Sequence, residues 1–392
     1  MLPSKTSRID DYIYTSIREL LGFEFPRYEW LWSSWTDLPA KEVEQQTHVF
    51  VTRHFHELMA WETRCCNIDR LENFEELRRK ATSVINKASQ LTSCMIKDKY
   101  SISQHIPQPN CTGHSLMLSK INHGFWEQFI LVFSDGYMPE VIRPTAKRGY
   151  KRCYIDSLFA DALRELTSRR IDKGYLSHDG IFAGFGISFT AGDLWHSEFI
   201  NRFSRLDEKS LIVARGAYAG LELFFGNVTS ASSYSFIDGA YAKKSVMSGE
   251  IDRLIESLCR TTDCAFIVAP GHLANAKIGC LSEEKQKLIH VSSRQVHEGW
   301  PITLAGVSRP ILSALSEGKD VVVLVQAAVF SALLPLFLLE AKENLNLSGN
   351  LSYIDLGQAM DAVNPECGKA WVKRITDGQD GSPIRIQSIK IA

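Results

Sequence analysis

Val321-Val-Val-Leu-Val325, then Gln326-Ala-Ala, an apolar run to Leu339, and finally Leu351-Ser-Tyr-Ile-Asp355-Leu-Gly357 are the residues on which the fold turns. Five β-branched or leucine residues in succession read as a strand buried on both faces, the pattern of a parallel sheet. Gln326 marks a turn. The following run reads as a helix that starts or kinks at Pro335, because proline lacks the N–H that continues a helical ladder. A second strand then closes the unit, with Asp355 and Gly357 at its carboxyl end. Open α/β sheets place ligand-binding residues at that edge.

The run from Val321 to Leu339 is also about long enough to cross a bilayer. Asp320 and Glu340 bound it, however, and no basic flank sets an orientation. The expectation is therefore a strand plus a helix, in a protein that does not span a membrane.

Composition narrows the class. The chain has 392 residues, 45% hydrophobic and 23% charged, which is ordinary for a globular protein and enough for two domains. A net charge of −1 supplies no global field toward nucleic acid or a membrane surface. Trp30, Trp32 and Trp35 have only Arg27 as a basic neighbour, so they read as core contacts and no nucleic-acid partner is expected. Nine scattered cysteines without zinc-finger spacing read as reduced thiols. With no apolar signal core at the N-terminus, the expected location is cytoplasmic. The Asn-x-Ser/Thr matches at Asn110, Asn227, Asn346 and Asn350 then carry no glycan.

Residues 1–115 read as a helical N-terminal domain. Asp37-Leu-Pro39 opens a helix with proline near its first position. Leu71, Phe74, Leu77, Ala81, Val84, Ile85, Ala88, Leu91 and Met95 recur every three or four residues and make one apolar stripe. With Val43–Trp61 as its antiparallel partner, that helix forms a hairpin. Three roles are open to it: packing on the main domain, a homo-oligomer contact, or a partner surface. His54 and His56 are two apart and on a helix face different directions, which argues against a shared metal ion.

Residues 98–120, with Pro107, Pro109, Asn110 and Gly113, read as a connector. Across 116–392, strands are expected at 129–133, 181–189, 210–216, 264–269, 287–292, 321–326 and 351–356. Helices are expected at 153–170, 194–205, 248–260, 308–317 and 335–343. Such alternation means an α/β fold: a mostly parallel, Rossmann-like sheet with helices on both faces, preceded by the helical hairpin domain.

The chemistry-bearing candidates sit at strand ends. Ser134-Asp135-Gly136-Tyr137 follows an apolar strand; its glycine permits close backbone approach, and Asp135 suits a divalent cation or a sugar hydroxyl. Arg143, Lys147, Arg148, Lys151 and Arg152 form a basic stretch suited to a diphosphate. Gly184, Gly186 and Ser188 can leave backbone N–H groups free for phosphate. That loop superficially resembles the sirtuin nucleotide loop, but Asp193-Leu-Trp195-His196 follows it where sirtuins have Pro-x-Phe-Arg. Arg215 and Tyr218 lie just past another strand, and His272 follows Pro270-Gly271 as a candidate base or phosphate ligand. Each of these is also open to a plain turn reading.

In this order the pieces resemble the glycosyltransferases of the GT-D type. The resemblance rests on Phe133-Ser-Asp135-Gly136 and on Ile354-Asp355-Leu-Gly357 with Asp361 four positions on. Ala183-Gly-Phe-Gly-Ile187, Trp195 and Ala214-Arg215-Gly-Ala-Tyr218 fall between them, so it covers roughly residues 120 to 375. Tyr137 stands where that family has glutamate. The resemblance implies transfer of a sugar from a nucleotide-diphosphate sugar to an acceptor, with a manganese or magnesium ion at Asp135. Donor binding would then involve Ser134, Gly136, Gly184, Gly186, Ser188, Arg215, Tyr218, Asp355 and Gly357. His272 and Glu140 are the available general bases. The rivals are a non-catalytic nucleotide- or sugar-binding protein, as the altered acidic motif would allow, and another α/β enzyme using a nucleotide cofactor.

Overall fold

The structure is a computed structural model. It describes residues 5–22, 35–54, 116–121, 181–185, 235–238, 241–296, 298–328, 330–363 and 386–391, together with Ala162, Glu165, Leu166 and Arg169. The described helices are α1 (Lys5–Leu21), α2 (Ala40–Arg53), α3 (Tyr241–Met247), α4 (Glu250–Cys259), α5 (Trp300–Ser316) and α6 (Phe330–Asn344). The strands are β1 (Met117–Ile121), β2 (Ile181–Phe185), β3 (Ser235–Asp238), β4 (Cys264–Pro270), β5 (Ala276–Ile278), β6 (Gln286–Val291), β7 (Val321–Val325), β8 (Leu351–Asp355) and β9 (Ile389–Ile391).

Among the described residues seven strands form one sheet in the order β3-β2-β1-β8-β7-β4-β6, and β5 pairs with β9 in a separate two-stranded ribbon. Every pairing in the large sheet is parallel, while β5 and β9 are antiparallel. The Val321–Val325 run is a fully buried inner strand, as its unbroken apolar character requires. Alternate residues serve opposite faces. Ala265, Ile267, Ala269, Val322, Leu324 and Ile354 pack with Ile251, Leu254, Ile255 and Leu258 of α4 and with Ala242 and Val246 of α3. The opposite face meets α5 and α6.

The N-terminal helices pack on this second face. α1 lies along α5, where Arg309 grips Asp10 with Nε 2.9 Å from Oδ1. α2 begins after Pro39, as expected, and Glu44 reaches the loop after β6. There it accepts from the Ser292 hydroxyl at 2.6 Å and the Ser293 N–H at 2.6 Å. Trp35 is fully buried against α5, where Gly306 leaves room for the indole. The helix expected over Leu71–Met95 lies outside the described residues.

Three expectations need correction. The connector read over 98–120 contains β1, a central strand whose Ser119 and Lys120 disguise it. The helix expected at 248–260 is present as α4, and α3 precedes it, ending before Gly249, whose φ of 70° is the left-handed conformation glycine tolerates. The helix expected at 308–317 starts at Trp300, with Pro301 in the first turn where its missing N–H costs nothing. The helix expected at 335–343 starts at Phe330 and carries Pro335 inside it. Pro335 cannot donate to the Ser331 carbonyl one turn back; the Tyr353 hydroxyl donates to that oxygen instead, at 2.7 Å. Among the described residues no helix is long and apolar enough to cross a membrane.

Candidate functional site

Chain direction defines a crevice at the carboxyl edge. From β4 the chain proceeds to β6 on one side, whereas from β7 it proceeds to β8 on the other. Neighbouring strands whose connections diverge form a topological switch point, the usual place for a ligand in an open α/β sheet. Here β4 and β7 are hydrogen-bonded neighbours, and the Gln326 N–H still bonds the Val268 carbonyl at 2.8 Å beyond the last strand residue.

Three side chains meet above that point. His272 lies in the short 3-10 turn Gly271–Leu273 that follows β4. Gln326 follows β7 directly, and Asp361 lies in the 3-10 helix Gly357–Val363 that follows β8. His272 Nε2 is 2.9 Å from Asp361 Oδ1, and Gln326 Nε2 donates to the same oxygen at 2.9 Å. Asp361 is fully buried, whereas the His272 side chain is 41% exposed. A carboxylate oxygen already taking the amide hydrogen fits an Nε2–H donor, which leaves Nδ1 as the basic nitrogen of the neutral ring. A buried carboxylate behind an exposed imidazole fixes the tautomer and the orientation of the ring. Gln326 is 7% exposed, and its Oε1 is buried with no hydrogen-bond partner among the described residues.

Asp355 belongs to the framework beneath these groups. It is fully buried at the end of β8, where its Oδ2 accepts from the Ser331 hydroxyl at 2.6 Å. Its Oδ1 accepts from the Gly357 N–H at 2.9 Å. That bond explains the Asp-x-Gly spacing: the side chain closes a turn over two residues, and Gly357 takes a φ of 47° to launch the 3-10 helix carrying Asp361. Ala328, two residues past Gln326, also has a left-handed φ of 49°. Such a conformation in a residue with a Cβ costs about 1–2 kcal/mol and is concentrated at functional sites. One strand outward, His290 is buried at the end of β6; burial holds its pKa below the ordinary value, partly offset by a hydrogen bond to the Ala269 backbone.

The remaining candidates separate as follows. Gly184 lies at the same carboxyl edge, on β2. Four strand spacings separate β2 from β4, roughly 19 Å, so Gly184 and His272 do not share one contact site. Ser134, Asp135, Gly136, Glu140, Gly186, Ser188, Arg215, Tyr218 and the basic stretch Arg143–Arg152 lie outside the described residues. Among the described residues no three His, Cys, Asp or Glu side chains group as metal ligands. The sequence marks His272 and Asp361, whereas Gln326 reads there only as a turn. Its signal was an amide set immediately after an unbroken apolar strand.

No family model, curated protein or solved structure matches the chain.

Proposed function

We propose that the chain transfers a sugar from a nucleotide-diphosphate sugar to an acceptor hydroxyl, with His272 as the proton acceptor. The observation that carries this reading is the exposed His272 ring held by the buried Asp361 at 2.9 Å, beside a sheet switch point. In this reading the proton that His272 takes comes from the bound acceptor hydroxyl. As the acceptor oxygen forms its bond to the anomeric carbon, its proton passes to His272 Nδ1. The bond to the nucleotide diphosphate breaks, and that group departs with the bonding electrons. Charge developing on it needs cations preorganised around it; Arg215 and the basic stretch Arg143–Arg152 are the residues this reading assigns to that task. The order of motifs shared with the GT-D type supplies the substrate class, and no step is assigned to a metal.

The test is release of nucleoside diphosphate from a panel of UDP-, GDP- and dTDP-sugars, with and without manganese, by wild type and H272Q. Loss of the base is expected to lower turnover by about 10²–10⁴-fold. Turnover that H272Q leaves intact defeats the assignment of His272. Saturable binding with no turnover by wild type, under any metal, defeats the transferase reading. Tyr137, in place of an acidic residue, favours one second reading: a protein that binds a nucleotide or sugar without transferring it.

A further inference from the structure

Two cysteines meet on the sheet face that α4 covers. Cys259 ends α4 and is buried in the same core cluster as Ile278, whereas Cys280 lies just past β5 and is exposed. Their side chains are hydrogen-bonded to each other. The backbone builds this approach. Asp252 lies seven positions before Cys259 and so on the same face of α4. Its Oδ1 accepts from the Gln387 N–H at 2.9 Å, the Ser388 N–H at 2.8 Å and the Ser388 hydroxyl at 2.6 Å. The Ser388 carbonyl in turn accepts from the N–H of Gly279, directly before Cys280, at 2.7 Å. On the other side of Cys280, the Gln286 amide donates to the Leu281 carbonyl at 2.9 Å while its Oε1 accepts from the Ile278 N–H at 2.6 Å. Hydrogen bonds before and after it therefore hold Cys280 beside Cys259.

We propose that Cys259 and Cys280 are an oxidation site, at which hydrogen peroxide converts the two thiols to a reversible disulfide. This goes beyond the sugar-transfer reading and does not depend on it. Exposure sends the oxidant to Cys280, while burial, reinforced by the neighbouring Cys280, pushes the Cys259 thiol up and keeps it protonated. The Cys280 sulfur attacks one peroxide oxygen, the O–O bond breaks, and the departing hydroxide takes the thiol proton as water. Cys280 is then a sulfenic acid, which condenses with a thiol. The Cys259 sulfur attacks it: the S–S bond forms, the S–O bond breaks, and the leaving hydroxide carries off the Cys259 proton as a second water. The thiol pair is oxidised and the peroxide reduced. The bridge closes the chain over residues 259–280, the stretch that contains β4 and the His272 turn.

Wild type and C280S are treated under native conditions with a small molar excess of hydrogen peroxide, blocked with N-ethylmaleimide and digested with trypsin without reductant. Mass spectrometry of wild type is expected to find the peptides 254–260 and 278–285 joined by a disulfide that dithiothreitol removes. C280S, altered at an exposed position, is expected to give no such link and to keep Cys259 as a thiol. Closing a loop of this length is expected to raise the wild-type melting temperature by about 2–5 °C over the reduced form, with no such shift in C280S. Cys280 recovered as a thiol or a sulfinic acid, or joined to a cysteine other than Cys259, overturns the proposal. So does a linked protein that melts no higher than the reduced one, because the bridge would then strain the fold instead of matching it.

Discussion

Replacing Gly306 with alanine tests how the N-terminal segment is joined to the sheet. The indole of Trp35, itself fully buried, lies against the backbone of α5 at Gly306. A Cβ at that glycine would come within 3.0 Å of Cδ2, Cε2 and Cγ of the ring. Carbon atoms pack best about 3.5–4.0 Å apart, so helix and indole must separate, and a rigid ring cannot yield as a flexible side chain would. Overpacking of this kind costs about 1–3 kcal/mol and sometimes more. Against it stands the gain of about 1 kcal/mol when alanine replaces glycine inside a helix. The net expectation for G306A is a loss of about 0–2 kcal/mol, at the upper end if α5 cannot shift on the sheet. In a W35A background the clash is gone and only the helical gain remains, so G306A should then stabilise by about 0.5–1 kcal/mol. Urea unfolding followed by circular dichroism on the four proteins of this cycle reads both values. G306A effects of the same sign and size in the two backgrounds would refute the close approach of Trp35 to α5, and with it the docking of residues 35–37 on that helix.

Three further outcomes follow from the site and its framework. Asp361→Asn removes the charge that two donors share, and is expected to lower stability by about 1–3 kcal/mol and turnover by a further 10²–10⁴-fold relative to its effect on binding. An activity loss no larger than the fraction unfolded in urea titrations would reduce Asp361 to a structural role. Gly357→Ala forces a side chain into the left-handed region and should cost about 1–2 kcal/mol; unchanged thermal unfolding would contradict the φ of 47°. His290 has a folded pKa held below its ordinary 6.5 by burial. As pH falls the unfolded chain takes the proton first, so this stabilisation is present above about 6.5 and is lost as pH falls toward the folded value. His290→Leu should flatten the slope of stability against pH in that acid window, and an unaltered slope would assign it to other groups.

Much of the fold was legible because burial leaves long traces in a sequence. β7, α6 and β8 appear as apolar runs whose lengths and breaks admit few other foldings, and β4 and β6 are nearly as plain. β1 was hidden for a physical reason: its five residues include Ser119 and Lys120, and its central place comes from pairing with β2 and β8, which no local pattern records. α5 was shortened because a helix buried on nearly every side has no polar stripe to announce its first turns. Gly249 divides α3 from α4 through a backbone angle, and a glycine in sequence does not declare its angle.

The site was legible one residue at a time and illegible as an assembly. His272 drew attention because it follows a Pro-Gly break at the end of an apolar strand, and Asp361 because it trails an Asp-x-Gly turn. Their meeting depends on strand order. Within the large sheet the next strand after β4 is β6, yet β7, formed later, lies on the other side of β4. That placement brings Gln326 level with the end of β4 and sets β8 one strand beyond. The 3-10 helix launched by Asp355 and Gly357 then returns Asp361 over both. Local pattern reports which residues end a strand but not which strand lies beside it, and the three groups lie up to 89 positions apart. A substitution that disturbs the Asp355–Gly357 turn should therefore weaken the hold on His272 without touching its ring.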